Sequence, residues 1–241
     1  MTKNASDLKP IYILRFSRTE GPGFLEPFLK ARGVPWKLVC LDKGEPVPLS
    51  INEMSGLALM GGTMSVNDGL PWILPVLNLI QESLKANVPV IGHCLGGQLL
   101  AKALGAETKN NHCKEMGWGN VEVVDQAVAK EWFGGAMQFD VFHWHYQTFD
   151  IPQGAAKIMR SAWCENQAFI YQGRHIGFQC HIEMTADMVR EWCKESGDQF
   201  PSTLPASIQP IETMLQDIHT RVGKLNALAG NVYLRWLTNI K

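Results

Sequence analysis

The sequence predicts an α/β fold of three layers, a mostly parallel central sheet flanked by helices, with antiparallel additions and a C-terminal helical extension. Three observations lead there. Short, uninterrupted apolar runs recur through the first half of the chain, as expected of strands covered on both faces. Segments with helical spacing stand between those runs, so consecutive strands are joined by crossovers and run parallel. From Gly117 to Gln179 the pattern changes to strand after strand separated by Gly, Pro and polar turns, which reads as hairpins added to the same sheet.

IYILRF, from Ile11 to Phe16, reads as the first strand, and GFLEPFLKARG as a helix closed by Gly33. Trp36 to Leu41 is a second strand, and GLALMGG a third that runs into Gly61 and Gly62. WILPVLNLIQESLKAN gives a helix, VPVIGHC a fourth strand, and LGGQLLAKALGAE a helix that starts directly at the end of that strand. WGNVEVV, MQFDVFHWH, AKIMRSA, NQAFIYQ and RHIGFQC are the later strands, and MTADMVREWCKES is an amphipathic helix. Two further helices follow Pro205, the last ending in YLRWLTNIK. Ser196 to Pro205 is the one plausible internal boundary. The chain is therefore expected to divide into a main domain over 1–197 and a helical extension over 198–241 packed on the same domain.

Composition excludes several classes of function. The chain has 241 residues, 46% hydrophobic and 19% charged, the profile of a compact protein and not of a disordered one. Lys and Arg total 22 against 23 Asp and Glu. No cationic excess is available to displace counterions, so neither nucleic acid nor an anionic membrane is the expected partner. No apolar run approaches the roughly eighteen residues needed to span a bilayer, and MTKNASDLKP lacks the cationic and apolar segments of a signal peptide, so a cytoplasmic protein is expected. Six scattered cysteines, without paired short spacings, read as reduced thiols.

One thiol stands apart. Gly92-His93-Cys94-Leu95-Gly96-Gly97 has the spacing of a nucleophile elbow, in which a residue at the tip of a strand-to-helix turn needs small neighbours. The helix starting at Leu95 points its positive end at the sulfur and favours its charged form, and amides around the turn can donate to an oxyanion. His93 cannot be the base, because consecutive side chains on a strand point to opposite faces. Among His112, His143, His145, His175, His181 and His219, the position of His181 at a strand end, two residues before Glu183, suits a base whose ring is oriented by a carboxylate. His143 and His145 share one face of a strand, but no carboxylate or cysteine stands at a spacing that would complete a metal site, and neither a metal nor a cofactor is expected.

With Gly61-Gly62, GHCLGGQ and His181-Ile182-Glu183 in this order, the sequence resembles the class I glutamine amidotransferases, most closely free-standing proteins similar to the glutaminase domain of GMP synthase. LMGGTMSVND, EMGW, FHWHYQTFDIPQGA, NQAF and GFQCHIEMTADMV extend the resemblance over nearly the whole chain. It implies a flavodoxin-like fold of that family, with Cys94 as nucleophile, His181 as general base and acid, and Glu183 as third member of a triad. The N–H groups of Gly62 and Leu95 would form an oxyanion hole. Gln98, His143, Trp144 and Tyr146 would surround the amino-acid end of the substrate, with Tyr146, where glycine is common, narrowing the pocket.

The implied reaction is hydrolysis of the glutamine side-chain amide through a γ-glutamyl thioester, with transfer of ammonia in trans to an acceptor enzyme as its extension. No phosphate loop follows Pro205, so amination of a nucleotide by this chain alone is not expected. The alternatives are hydrolysis of γ-glutamyl amides or peptides and, in another class, a non-catalytic regulatory or binding module on the same fold. A homo-oligomer is possible, through the apolar residues of the last helix.

Overall fold

The structure is a computed structural model and describes residues 8–196, 200, 201 and 203–240. The expected boundary between 197 and 198 therefore lies outside the described residues. Nine strands form one sheet in the order β2-β1-β3-β4-β9-β8-β7-β5-β6. β1 (Ile11–Arg15), β2 (Trp36–Cys40), β3 (Gly56–Leu59), β4 (Val90–His93) and β9 (His175–Phe178) are mutually parallel. β8 (Ala168–Tyr171), β7 (Ala155–Ser161), β5 (Thr108–Val123) and β6 (Gln138–Phe149) continue it in antiparallel pairs. The mostly parallel α/β architecture with antiparallel additions is the one the sequence predicts.

Alternation along the strands divides the core into two faces. Ile11, Ile13, Ala58, Ile91, Ile176 and Phe178 face one layer with α1 (Leu25–Ala31), α5 (Ala186–Glu195) and α7 (Ile218–Leu237). Tyr12, Leu14, Leu57, Leu59 and Val90 face the other, against α2 (Ile73–Lys85) and α3 (Leu95–Ala103). In α7, Val222, Leu225, Ala229, Val232, Tyr233 and Trp236 are buried at helical spacing and belong to the same core as the sheet. Leu234 lies off this stripe and is exposed. Among the described residues, no helix is long and apolar enough to cross a membrane.

Two elements depart from the sequence reading. A short helix, α4 (Gln126–Trp132), precedes β6; its one local signal is Asp125, whose side chain accepts a hydrogen bond from the Val128 N–H and caps the helix. β5 starts at Thr108, well before Gly117, where the strand pattern becomes apparent. Its first half is polar and largely uncovered, so no apolar alternation marks it; pairing with β6 forms it instead. A register shift between Asn110 and Glu115 sets Glu115 opposite His145.

Candidate active site

The C-terminal ends of the parallel strands, where open α/β sheets form ligand crevices, meet a cavity of about 540 Å³ lined by Cys94, Gly62, Gln98 and the run Trp144 to Gln147. Cys94 stands between β4 and α3 with φ 49° and ψ −108°, a left-handed backbone strained for a side-chain-bearing residue. Its N–H donates to Phe178 O (2.9 Å) and its carbonyl accepts from the Gln98 N–H (3.0 Å), so the turn is tied to β9 and to its own helix. Glycines on either side let the backbones close in. A Cβ at Gly96 would lie 2.2 Å from Leu59 O, and one at Gly97 2.2 Å from Phe178 O. A side chain at position 97 has no room here.

His181 follows β9 through Gln179 and Cys180, and its main chain bridges to Phe142 of β6. Its Nδ1 lies 2.6 Å from Glu183 Oε1. Nε2 has no hydrogen bond of ordinary geometry, and this ring interacts with the Cys94 sulfur. Burial acts to lower the His181 pKa, but Glu183 and the sulfur outweigh it and hold the group well above its usual value. For Glu183, burial acts to raise the pKa, and His181 followed by His93 more than reverses it. Cys94 lines the cavity, while the His181–Glu183 pair is buried outside its lining and is coupled to the sulfur electrostatically. His93 points away from the sulfur, as the alternation requires, and comes to rest behind Glu183 with Nδ1 3.3 Å from Oε2. There it stacks on Phe178 and meets the edge of Tyr233 of α7. Burial lowers the His93 pKa despite Glu183 and keeps the ring neutral. Of the other histidines, His175 accepts from the Val90 N–H and His219 faces Arg190, both away from the sulfur.

The N–H groups of Gly62 and Leu95 have no acceptor among the described residues. They are available as a pair beside Cys94, with the Leu95 N–H in the first turn of α3, where helical amides lack internal partners. Gln98 is buried on the cavity wall and donates to Gln179 Oε1 (3.1 Å), whose own amide reaches the Cys94 sulfur at 3.6 Å. Trp144 and Tyr146 line the cavity. Tyr146 is 45% exposed.

His143 does not line the cavity, against the expectation for it. It stands on strand β6, and its ring is buried beneath Gly119. Nor do His143 and His145 lack a carboxylate: Glu115, Cys113's second neighbour on β5, lies with Oε2 2.9 Å from His145 Nε2 and 3.9 Å from His143 Nδ1. The three form a group of metal-ligand type, with donor atoms within 4.8 Å of one another. The Gln167 amide nitrogen already occupies its middle, 2.6 Å from Glu115 Oε2 and 3.4 Å from each imidazole. The arrangement is a hydrogen-bonded anchor for the cavity wall, because His145 Nδ1 also meets the Gln147 carbonyl at 3.0 Å. Burial lowers the His143 pKa to about 4 even with Glu115 nearby. Sequence spacing could not show Glu115, which reaches the pair only through the shifted β5–β6 register.

Glu20 was also not singled out by the sequence. It lines the cavity from the segment after β1 and is 8% exposed. Burial raises its pKa from 4.5 to about 7, with His181 opposing and Glu183 assisting. Between those values the folded carboxyl keeps a proton that the unfolded one has released, so stability falls as pH rises across that window. Glu20→Gln is expected to remove this loss and gain roughly 2–3 kcal/mol on wild type between pH 5 and pH 8. Urea unfolding of both proteins at the two pH values checks it; equal pH dependence contradicts it.

A family model described as Glutamine amidotransferase class-I matches residues 27–190. The solved structure of a glutamine amido transferase from Methylobacillus flagellatus superposes with a TM-score of 0.92 at 45% identity, covering 98% of this chain and 96% of that one. YLR126C of Saccharomyces cerevisiae, provisionally named a glutamine amidotransferase, is 30% identical over 156 residues, 63% of this chain and 61% of its own. Gamma-glutamyl peptidase 4 of Arabidopsis thaliana is 24% identical over 163 residues, 65% of each chain. The match spans about three-fifths of the length of the first curated relatives.

Proposed function

This chain belongs to the class I glutamine amidotransferase family, and on that premise we propose that it is a cysteine-dependent amide hydrolase that cleaves the side-chain amide of glutamine. The observation that carries the reading is a strained elbow cysteine on the cavity wall, coupled electrostatically to a buried His181–Glu183 pair. Cys94 Sγ attacks the carboxamide carbon, and the oxygen that gains charge turns to the N–H groups of Gly62 and Leu95. Such preorganised donors contribute about 2.7–4 kcal/mol each to barrier lowering. His181 gives its proton to the departing nitrogen, the C–N bond breaks, and ammonia leaves a γ-glutamyl thioester. A water then loses a proton to His181 and attacks the thioester, releasing glutamate and the cysteine sulfur. Gln98, Trp144 and Tyr146, joined by His145 and Gln147, hold the amino-acid end. The helices after 198 belong to the same working unit, since Tyr233 backs the His93–Glu183 contact.

A second reading keeps the acyl-enzyme and changes the leaving amine, giving hydrolysis of γ-glutamyl amides or peptides. A cavity of about 540 Å³ leaves room for a larger leaving group, and the plant γ-glutamyl peptidase is a relative. Delivery of ammonia to an acceptor enzyme in trans is the extension of the first reading. Product release from L-glutamine and from γ-glutamyl dipeptides, measured side by side, separates the two. Ammonia release with kcat/KM at least about tenfold above dipeptide cleavage supports the glutaminase, and the reverse order supports the peptidase. Turnover of neither would leave a non-catalytic module.

A further inference from the structure

The cavity holds one buried carboxyl group that the proposed reaction does not use. Glu20 is 8% exposed, and among the described residues none donates a hydrogen bond to its carboxyl. The residue lines the cavity and its oxygens are not among the fully enclosed polar atoms, so water or a ligand in the cavity supplies the missing donor.

Its place is built. The Glu20 N–H donates to Ser17 O at 3.2 Å, closing a turn. The preceding Thr19 carbonyl accepts from the indole of Trp192 in α5 at 2.9 Å. Downstream, the Phe24 N–H donates to the main-chain oxygen of Glu183 at 2.7 Å, and Gly23, with φ 52°, packs so closely that a Cβ would lie 2.1 Å from that oxygen. The segment is pinned at one end to Trp192, which makes an edge contact with the His181 ring, and at the other to Glu183 itself. Room for the carboxyl itself comes from Gly61, where a Cβ would lie 1.9 Å from Glu20 Oε2 and 3.0 Å from His181 Cε1.

This places Glu20 on a definite side of the reacting carbon. In the proposed reaction the oxygen points to Gly62 and Leu95, and the nitrogen must point to His181 to receive its proton. A group sharing the space over Gly61 with the His181 ring therefore borders the leaving nitrogen. Resting on the hydrolase reading, we infer that Glu20 is a specificity-determining residue that meets the leaving amine, favouring amines that present N–H donors or positive charge and disfavouring those that carry a carboxylate. Like-charge juxtaposition in a buried site is strongly unfavourable, and the opposite sign is favourable there.

The test compares kcat/KM at pH 8 for γ-glutamyl-ethylenediamine, whose leaving group is cationic, and γ-glutamylglycine, whose leaving group is anionic. Labelling of Cys94 by 6-diazo-5-oxo-L-norleucine, which departs without an amine, is followed alongside. Wild type is expected to prefer the cationic leaving group. Glu20→Gln should cut that preference by about tenfold or more while labelling stays within about twofold of wild type. Glu20→Asp, which keeps the charge, should retain most of the preference, and Glu20→Ala is read in the same way if the glutamine variant does not fold. An unchanged preference in an active, normally labelled Glu20→Gln protein overturns the role of Glu20 and leaves the hydrolase reading standing. Absence of both labelling and turnover in wild type overturns that reading and this inference together.

Discussion

Cys94→Ala is expected to lose amide hydrolysis by roughly 10⁴-fold or more while folding as before. Groups that act as one nucleophile-base unit fail together when one is removed, and the residual rate comes from binding and the oxyanion donors. Stability should change little. Cys94 is 6% exposed at the edge of a cavity, and removing one sulfur there creates little new void in the packed core. Alanine also retains the left-handed strain, so the elbow keeps its geometry. Ammonia release and an unfolding curve, measured on the same preparation, check both halves. A variant that hydrolyses within tenfold of wild type excludes the sulfur as nucleophile.

The second large effect belongs to Glu183. Glu183→Gln preserves volume but removes the charge that holds His181 in place at 2.6 Å and opposes the effect of burial on its pKa. By analogy with triads in which the acid becomes an amide, kcat should fall by about 10⁴. The pH profile should move as well. Without Glu183, burial prevails at His181, its pKa drops, and the high-pH limb that reports loss of the imidazolium shifts to lower pH. Stability follows the same linkage. The raised His181 pKa contributes stability that is complete below about 6.5 and is lost as pH rises through the folded value; the lowered Glu183 pKa contributes above about 4.5 and is lost as pH falls through its folded value. These are two views of one contact, which is worth most between about pH 4.5 and 6.5. A limb that moves upward, or does not move, contradicts the assigned role of Glu183.

Much of this site could be read from residue order because its chemistry is local. The elbow is a contiguous run whose glycines must be glycines for packing reasons, and His181 and Glu183 stand two residues apart at a strand end. The strands of the parallel half announce themselves because both faces are buried. Other features depend on contacts across strands or on short segments. Glu115 joins His145 through a register shift, and no spacing within either strand encodes that shift. The same pairing buries His143 beneath Gly119 and keeps it out of the cavity. α4 is a seven-residue helix whose signal is one capping aspartate. Glu20 had a positional cue, since it follows the C-terminal end of β1 on the side of the sheet where crevices form. Its burial depends on Gly61 and on the clamps from Thr19 to Trp192 and from Phe24 to Glu183, none of them visible in one segment.

The central claim is that the sulfur of residue 94 becomes acylated during turnover. Wild-type protein mixed with L-glutamine, quenched in acid within milliseconds and digested at low pH, can be searched by mass spectrometry for a glutamyl adduct. The account predicts that adduct on the peptide containing Cys94, removable by hydroxylamine and formed no more slowly than ammonia. Steady ammonia release with Cys94 unmodified at every quench time, or acylation confined to another cysteine, would contradict it.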